Sequence, residues 1–510
     1  MLAQGILGFQ YESERAESNL TAFAGLPLYL EMARVSGLCA GIASSLKSKA
    51  RGWTDLESIL SLLLLNIAGG DCVEDIERLE SDKGLRTLLL KLETQGMKHK
   101  DRRAYERRWH KITERALPSA SAIRRYLEQF HHENEEKLRV EGKAFIPEHN
   151  PLLRQLLNLN GVLVNFAQKA NPLTEATLDQ DATLSQTAKS TAYYCYEKYK
   201  SYQPLNTYWH EQGLLLHSEF RDGNVPAGFE EKRVLEESLK LLPAGVSKVY
   251  LRTDTAGYQK ELIQYCARGE NERFGVIEFA IGSNVTQSFK NAVSEVKAED
   301  WKTLYRDENS KQVATGQEWA EVCFVPSWAC ASKKEPNYRY LAIREKLVVQ
   351  EELSIVEALQ IELPFQTMEL QKRAYKIFGM VTNRTIDGNE LINWHRKRCG
   401  QSEKVHSVEK SELAGGQFPS GKFGANAAWW AIMVMAFNLN ILMKRFALPE
   451  GFKTKGLKAI RFHIIGIAGR VIKHARTLGI KLGIEAAELL SGIRAKIIAL
   501  GNGPPFILTG

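Results

Sequence analysis

Apolar residues recur at helical spacing from about Leu26 to His132, in GLPLYLEMARVSGL, TDLESILSLLLLNIAGG, VEDIERLESDKGLRTLLLKL and SASAIRRYLEQFHH. Apolar positions three and four apart share one face of a helix, so this stretch predicts a helical region. Thr54 and Ser119 or Ser121 stand where N-caps belong, and Gly69-Gly70 and Gly84 punctuate the run. The polar stretch from Glu133 to Asn150 predicts a linker. From Ala176 the period falls to two. In Ala176 to Leu184 the residues Leu178, Gln180, Ala182 and Leu184 share one face of a strand, and Thr177, Asp179, Asp181 and Thr183 share the other.

Further β-prone runs follow in YKSYQPLNTYW and GLLLHSEFRDGNVPAG, then a helix over Glu230 to Leu242 and a short strand ending VSKVYLRTD at Asp254. A Gly-led helix (Gly257 to Cys266) and a fifth strand, GVIEFAIG, complete the series. Three strands, a helix, a strand, a helix and a strand is the layout of a ribonuclease H-like core. That core needs one more helix, and the run SEKVHSVEK supplies it, with Ser402 as N-cap and Glu403, His406 and Lys410 on one stripe. The roughly 120 residues between the fifth strand and Glu403 hold EWAEVCFVPSWA, YRYLAIREKLVVQ and YKIFGMVTNR, which predict a β-rich insertion. The expected architecture is α/β and multidomain. Residues 1–135 form a helical DNA-binding domain, 136–175 a linker, 176–280 and 377–450 the two parts of the mixed-sheet core, 281–376 the insertion, and 451–510 a basic helical C-terminal region.

Three acids on unlike backgrounds, Asp181, Asp254 and Glu403, are candidate ligands for divalent cations. A carboxylate at the carboxyl end of a strand in an open α/β sheet stands where such folds keep their sites. Any one of the three alone reads as a solvated side chain, so the reading depends on all three together.

Composition narrows the class. The 510-residue chain is ordinary in its hydrophobic and charged fractions, which argues against wholesale disorder and against a membrane protein. Seven scattered cysteines without a CxxC pair argue against a disulfide framework or zinc ribbon, and fit a reducing cytoplasm. The N-terminus lacks the pattern of a signal peptide. Leu60 to Gly70 is too short to span a bilayer, and Ala427 to Met443 is broken by Asn438 and Asn440, so both predict buried core helices. The net charge of +8 is modest but clustered. Lys98 to Arg115, with Tyr105 and Trp109 interleaved, and the acid-free stretch Lys453 to Lys481 each suit a phosphate backbone, although a charge run also fits a solvated helix face. Arg124 and Arg125 lie in the first turns of a helix that could enter DNA, or that packs with two surface arginines.

The segments GWTDLESILSLLLLNIAGGD, LDQDATL, YKSYQPL, FRDGNVPA, LRTDTAGYQKEL, VTNR, WHRKRCGQSE and ELAGGQFPSGKFGANAAWWAIMVMAFNLN resemble the DDE transposases of bacterial insertion sequences. The similarity is to the IS thirteen-eighty group within the IS four superfamily. It implies that Asp181, Asp254 and Glu403 are the catalytic and metal-holding acids, with Asp179 in support. The superfamily pattern Tyr-x2-Arg-x3-Glu-x6-Lys keeps its Lys as Lys410, but Arg396 and Cys399 occupy the Tyr and Arg positions. Arg396 and Arg398 are the substitutes for holding phosphate. Some relatives stack a flipped base on an aromatic where this chain has Phe378, for which a core Phe is the plainer reading.

The resemblance implies an enzyme that cuts element ends and joins them to target DNA, using two Mg²⁺ ions, with Mn²⁺ as substitute. Its expected partners are terminal inverted repeats, target DNA and a second copy of the chain. Two other classes fit the same residues. One is a metal-dependent nuclease, or a metalloenzyme built on Glu403 and His406; the other is a domesticated DNA-binding protein that no longer cuts.

Overall fold

The computed structural model describes residues 19–502 apart from 49–51, 95–97, 101–102, 104–114, 309–310, 331–337, 348–365, 371–372 and 475–476. The chain forms two compact units. One comprises His132–Glu148 and Asn160–Lys410, the other Met1–His131, His149–Leu159 and Ser411–Gly510.

The first unit is built on a ten-stranded mixed sheet. Its strands are β1 (Glu175–Ala182), β2 (Leu205–Trp209), β3 (Leu214–Glu219), β4 (Lys248–Thr253) and β5 (Glu278–Ser283), with helix α1 (Glu231–Leu241) before β4 and α2 (Lys260–Arg268) after it. Neighbours run β3-β2-β1-β4-β5; β2 is antiparallel to β1 and β3, whereas β1, β4 and β5 are parallel. This order and direction are those of a ribonuclease H-like core, as the layout of the sequence predicts. A small separate sheet forms from Ser185–Gln186, Tyr193–Tyr194 and Lys200–Tyr202.

The insertion does not fold apart from this core. It contributes β6 (Lys302–Glu308), β7 (Lys311–Val322), β8 (Arg339–Lys346), β9 (Thr367–Leu370) and β10 (Arg373–Thr382). β10 pairs antiparallel with β5, so β8, β7 and β6 extend the same sheet beyond its fifth strand. Helix α3 (Gly388–Ser407) then crosses this wide surface. Leu391 and Ile392 of α3 pack with Ala280 of β5 and with Leu304, Trp319, Leu341, Ile343 and Met380 of the insertion and β10. Burial of these side chains makes the insertion a floor for α3, with each large side chain contributing about 1.5–3 kcal/mol. Phe378 packs against this cluster and has the Lys376 ammonium 4.8 Å from its ring centre, so it serves the core.

Sequence and structure part company over where α3 starts. Asp387, not Ser402, is its N-cap, accepting from the backbone N–H groups of Asn389 and Glu390, and Ser402 and Glu403 lie near its other end. The helix continues through a π-helical turn, Val408–Glu412. Asn160 begins a helix (Asn160–Ala170) within the stretch expected as linker, and its amide donates to the carbonyls of Leu215 and Leu216 on β3.

In the second unit, Thr54 caps Asp55–Ala68 with a reciprocal bond to Glu57, and Ser119 caps Ala120–Leu127, as expected. The apolar helix Phe423–Leu442 belongs to this unit and is buried along almost its whole length. It is long and apolar enough to cross a membrane, but 94% of its apolar window is buried within the protein. Asn440, one of its three asparagines, accepts from the Tyr29 hydroxyl at 2.9 Å. The basic stretch Lys453–Lys481 is only partly helical. Alternation of Val471 and its neighbours gives a hairpin, Gly469–His474 with Thr477–Lys481, which pairs with Leu20–Thr21 before helix Ile484–Asn502. Most of the other basic run, with Tyr105 and Trp109, lies outside the described residues.

A Cβ at Gly388 would stand 2.1 Å from the Trp319 ring, so only glycine lets α3 begin this close to β7. Gly388→Ala is expected to cost about 1–3 kcal/mol by overpacking, read as a lower unfolding midpoint of the full chain.

Candidate active site

The two acids of β1 point to the same side of the sheet, but their surroundings differ. Asp179 is buried and bound by Arg252, its neighbour on β4, through two bonds of 2.6 and 2.8 Å. Arg252 Nη1 also donates to the Trp394 carbonyl of α3 at 2.6 Å, which gives every nitrogen of a fully buried guanidinium a partner. Burial alone would raise the Asp179 pKa, but His210 and Arg252 outweigh it and hold the carboxyl below its usual range. Asp179 is therefore committed to the fold.

Asp181, two residues on, is half-buried, with Arg398 Nη1 3.2 Å from its Oδ2 and the Ser402 hydroxyl bonded to it. Its pKa rises to about 6, first through burial and further through the nearby negative charge of Asp254, against the pull of Arg398. Asp254 follows β4 and turns the chain, its Oδ1 accepting from the Ala256 N–H at 2.9 Å. A short turn, Thr255–Gly257, precedes α2, so the expected Gly-led helix begins only at Lys260. His395 of α3 lies with Nε2 2.9 Å from the Thr253 carbonyl oxygen. Burial lowers the pKa of His395 to about 4; the neutral ring meets that carbonyl as donor and ties α3 to the end of β4.

Two further carboxyls feel the charge of this pair, Glu231 that of both acids and Glu409 that of Asp181, and sequence patterning did not single them out. Glu231, the first residue of α1, is buried and accepts from the Thr253 hydroxyl at 2.8 Å. Glu409, in the π-helical turn after α3, is fully buried, and both its oxygens accept from the Asn206 amide of β2 at 2.9 and 3.0 Å. Burial raises each of them to about 8; Asp254 and Asp181 add to the rise at Glu231, and Asp181 to that at Glu409. Glu231 looks in sequence like an ordinary first-turn helix acid. Glu409 lies beyond the stripe of Glu403, His406 and Lys410, and a seven-residue step from Ser402 was its only signal.

Glu403 is exposed on α3, one position round the helix from Ser402. The register that turns Arg398 and Ser402 toward Asp181 turns Glu403 to the flank. Among the described residues no three His, Cys, Asp or Glu side chains stand close enough together to hold a metal ion, so Asp181, Asp254 and Glu403 do not form a closed ligand set. Nor does a Glu403–His406 metal centre form; burial, Lys410 and Arg398 hold His406 down at about 4. Arg396 leaves the acids and donates to Gln317 of β7 at 2.7 Å. Lys410 is exposed, with its Nζ 3.3 Å from the Leu184 carbonyl just beyond β1. In the helical unit, Arg124 pairs with Glu74, and Arg125 Nε donates to the Ser121 carbonyl at 3.3 Å, both on an exposed face.

The family model described as transposase DDE domain group 1 matches residues 14–496. The chain belongs to this family of DDE transposases. A solved structure that the chain matches is the cryo-EM structure of the piggyBac transposase synaptic complex with hairpin DNA, with 11% identity and a TM-score of 0.38. That match covers 87% of this chain and 77% of the other. No curated protein matches the chain. Members of the DDE transposase family are enzymes that cut and transfer DNA with divalent metal ions. The site fits such ions in its chemistry. It offers hard oxygen donors, and Glu231 Oε2 is a buried oxygen with no hydrogen-bond partner.

The two acids of β1 are expected to answer pH with opposite signs. The Asp179 pair adds stability that is fully present above 3.8, the ordinary value for an aspartate, and is lost as pH falls through the depressed folded value. Asp179→Asn should therefore destabilise the transposase by about 3–5 kcal/mol at pH 7.5, because Arg252 is left buried and unpaired. Ionised Asp181 has the reverse effect, a penalty that grows as pH rises from 3.8 and is complete above about 6. In metal-free buffer Asp181→Asn should stabilise at pH 7.5, by on the order of 1–3 kcal/mol, and give no gain below pH 4. Unfolding midpoints across pH check both.

Proposed function

We propose that this protein is an active transposase that cuts the ends of an insertion sequence and joins them to target DNA at Asp181 and Asp254. The observation that carries the reading is the placement of these two acids at the carboxyl ends of adjacent parallel strands of a ribonuclease H-like core, with the charge of Asp254 acting on Asp181. LDQDATL and LRTDTAGYQKEL, which carry them, support membership of the IS thirteen-eighty group. Glu403 completes the set as third acid, standing on the exposed flank of α3 that DNA can reach.

Bound divalent cations, Mg²⁺ or Mn²⁺ and two in number on this reading, would activate the attacking oxygen and neutralise charge on the phosphorane-like transition state. The residues of the chain hold and orient. Asp181 and Asp254 supply the anionic oxygens, and Ser402 fixes the rotamer of Asp181 through its hydroxyl. Arg398 pairs with Asp181 through Nη1, and on this reading its charge also serves the phosphate held at these acids. Lys410 stands at the exposed end of β1, where it can steady DNA as a point charge. Arg396 reaches β7, so its part is to fix α3 against the insertion. The helical region, with Arg124 and Arg125, is assigned to the terminal inverted repeats, and a second copy of the chain completes the assembly on DNA.

Asp181→Ala, Asp254→Ala and Glu403→Gln are each expected to lower cleavage of labelled inverted-repeat DNA in Mn²⁺ by at least about 10²–10³-fold, while gel-shift binding of that DNA persists. Full cleavage by any one of the three would contradict the assignment. Strand-transfer products from the wild-type chain mark a transposase, unspecific degradation a nuclease, and a bare shift a DNA-binding protein.

A further inference from the structure

Glu231 presents an unsolved electrostatic problem in the resting fold. Its Oε1 accepts from Thr253, the residue before Asp254, whereas its Oε2 is buried with no hydrogen-bond partner, on a residue only 2% exposed. A buried carboxyl oxygen without a partner is costly to charge, and native proteins keep such groups rarely.

The surroundings hold this carboxyl in place. Glu230, just before it, adopts a left-handed backbone (φ 52°), an uncommon conformation for a residue with a side chain. Glu230 is fixed by Arg233 at 2.6 Å, and Arg233 also binds buried Glu219 at 2.7 Å. Thr253 is pinned from the other side by Gly257, where a Cβ would come within 2.1 Å of the threonine methyl. Thr253 and Arg252 alternate along β4, so Glu231 lies with Thr253 on the α1 side of the sheet, whereas Asp179 lies with Arg252 on the α3 side. Asp254 and Asp181 act on Glu231 as negative charges, and Arg221 acts on it as a positive one.

We propose that Glu231 is a fourth acid of the metal site, a positioning residue whose Oε2 accepts a hydrogen bond from water on the cation held by Asp254. This rests on the reading of Asp254 as a metal-holding acid. An outer role fits the geometry, because among the described residues no three acids stand within common reach of one ion, and Mg²⁺ keeps much of its water when bound by one or two carboxylates. Glu231 gives such water an acceptor, and its second oxygen is held by Thr253 so that the first keeps its aim.

Mn²⁺ titration of the purified full-length chain, by calorimetry or by electron paramagnetic resonance of free Mn²⁺, tests this. In Glu231→Gln, Thr253 can still donate to Oε1, but an N–H donor replaces the acceptor. Mn²⁺ should bind about 10–100-fold more weakly, the usual cost of losing an outer-shell partner. DNA cleavage by this variant should recover as Mn²⁺ is raised. Unchanged Mn²⁺ affinity overturns the proposal, as does lost cleavage that no Mn²⁺ concentration restores. Glu231→Asp keeps the carboxyl and draws it back, so an intermediate affinity is expected; if Glu231→Gln does not fold, wild-type affinity in Glu231→Asp overturns the proposal by itself. Asp254→Ala separates the two claims. If it binds Mn²⁺ like the wild type, the site reading itself fails; if it loses Mn²⁺ while Glu231→Gln does not, only Glu231 falls.

Discussion

Arg252 is the group on which the arrangement of this site depends. From the middle of the sheet it binds Asp179 on β1 and the Trp394 carbonyl on α3, and so joins three of the elements that carry candidate acids. The pair is fully buried, so it gains little over a hydrophobic substitute, but breaking it on one side would strand a charge in the core. Such an interaction specifies register more than it adds stability. It sets β1 against β4 so that Asp181 and Asp254 end near one another, and it sets α3 so that Arg398 and Ser402 meet Asp181. The ring of Trp394 lies against both Arg252 and Arg384, which adds cation–π contact to the same joint.

The insertion serves the same end by different means. By continuing the sheet past β5 it widens the apolar ground beneath α3, and Trp319 and Leu341 bury the helix face that starts at Leu391. A long helix carrying Arg398, Ser402 and Glu403 is thus fixed at its start by packing on the insertion, in its middle by His395 and Arg252, and past its end by Glu409 on Asn206. The result is a set of acids held in place by the packing of α3 and the sheet. That arrangement is maintained at an electrostatic cost, visible in the raised pKa values of Asp181, Glu231 and Glu409. Sites that bind cations keep such unbalanced negative charge, which the ion then relieves.

Much of the fold was legible because local patterns and global topology agree. Alternation over Ala176 to Leu184 placed Asp179 and Asp181 on one face, and the strand and helix order implied the core. What alternation could not say is which acid the buried Arg252 claims, because Asp179 and Asp181 look alike until Arg252 is known to sit beside Asp179 in the parallel register. The start of α3 was misplaced because Ser402 resembles a cap, whereas the real cap, Asp387, lies fifteen residues earlier beside an inconspicuous glycine. Glu231 and Glu409 were not singled out because burial of a glutamate comes from long-range packing that period and propensity do not carry. The basic C-terminal stretch was read as helix for the same reason. Its strands are completed by Leu20–Thr21, which lies more than four hundred residues away in sequence.

The central claim is that Asp181, and not its neighbour Asp179, touches the metal that acts on DNA. The most direct measurement is single-turnover cleavage of end DNA by Asp181→Cys in Mg²⁺ against a thiophilic ion such as Mn²⁺ or Cd²⁺, since thiolate prefers softer metals. Cleavage should be lost in Mg²⁺ and regained in the softer ion. Wild-type cleavage by that variant in Mg²⁺, or no recovery in any thiophilic ion, would contradict the account.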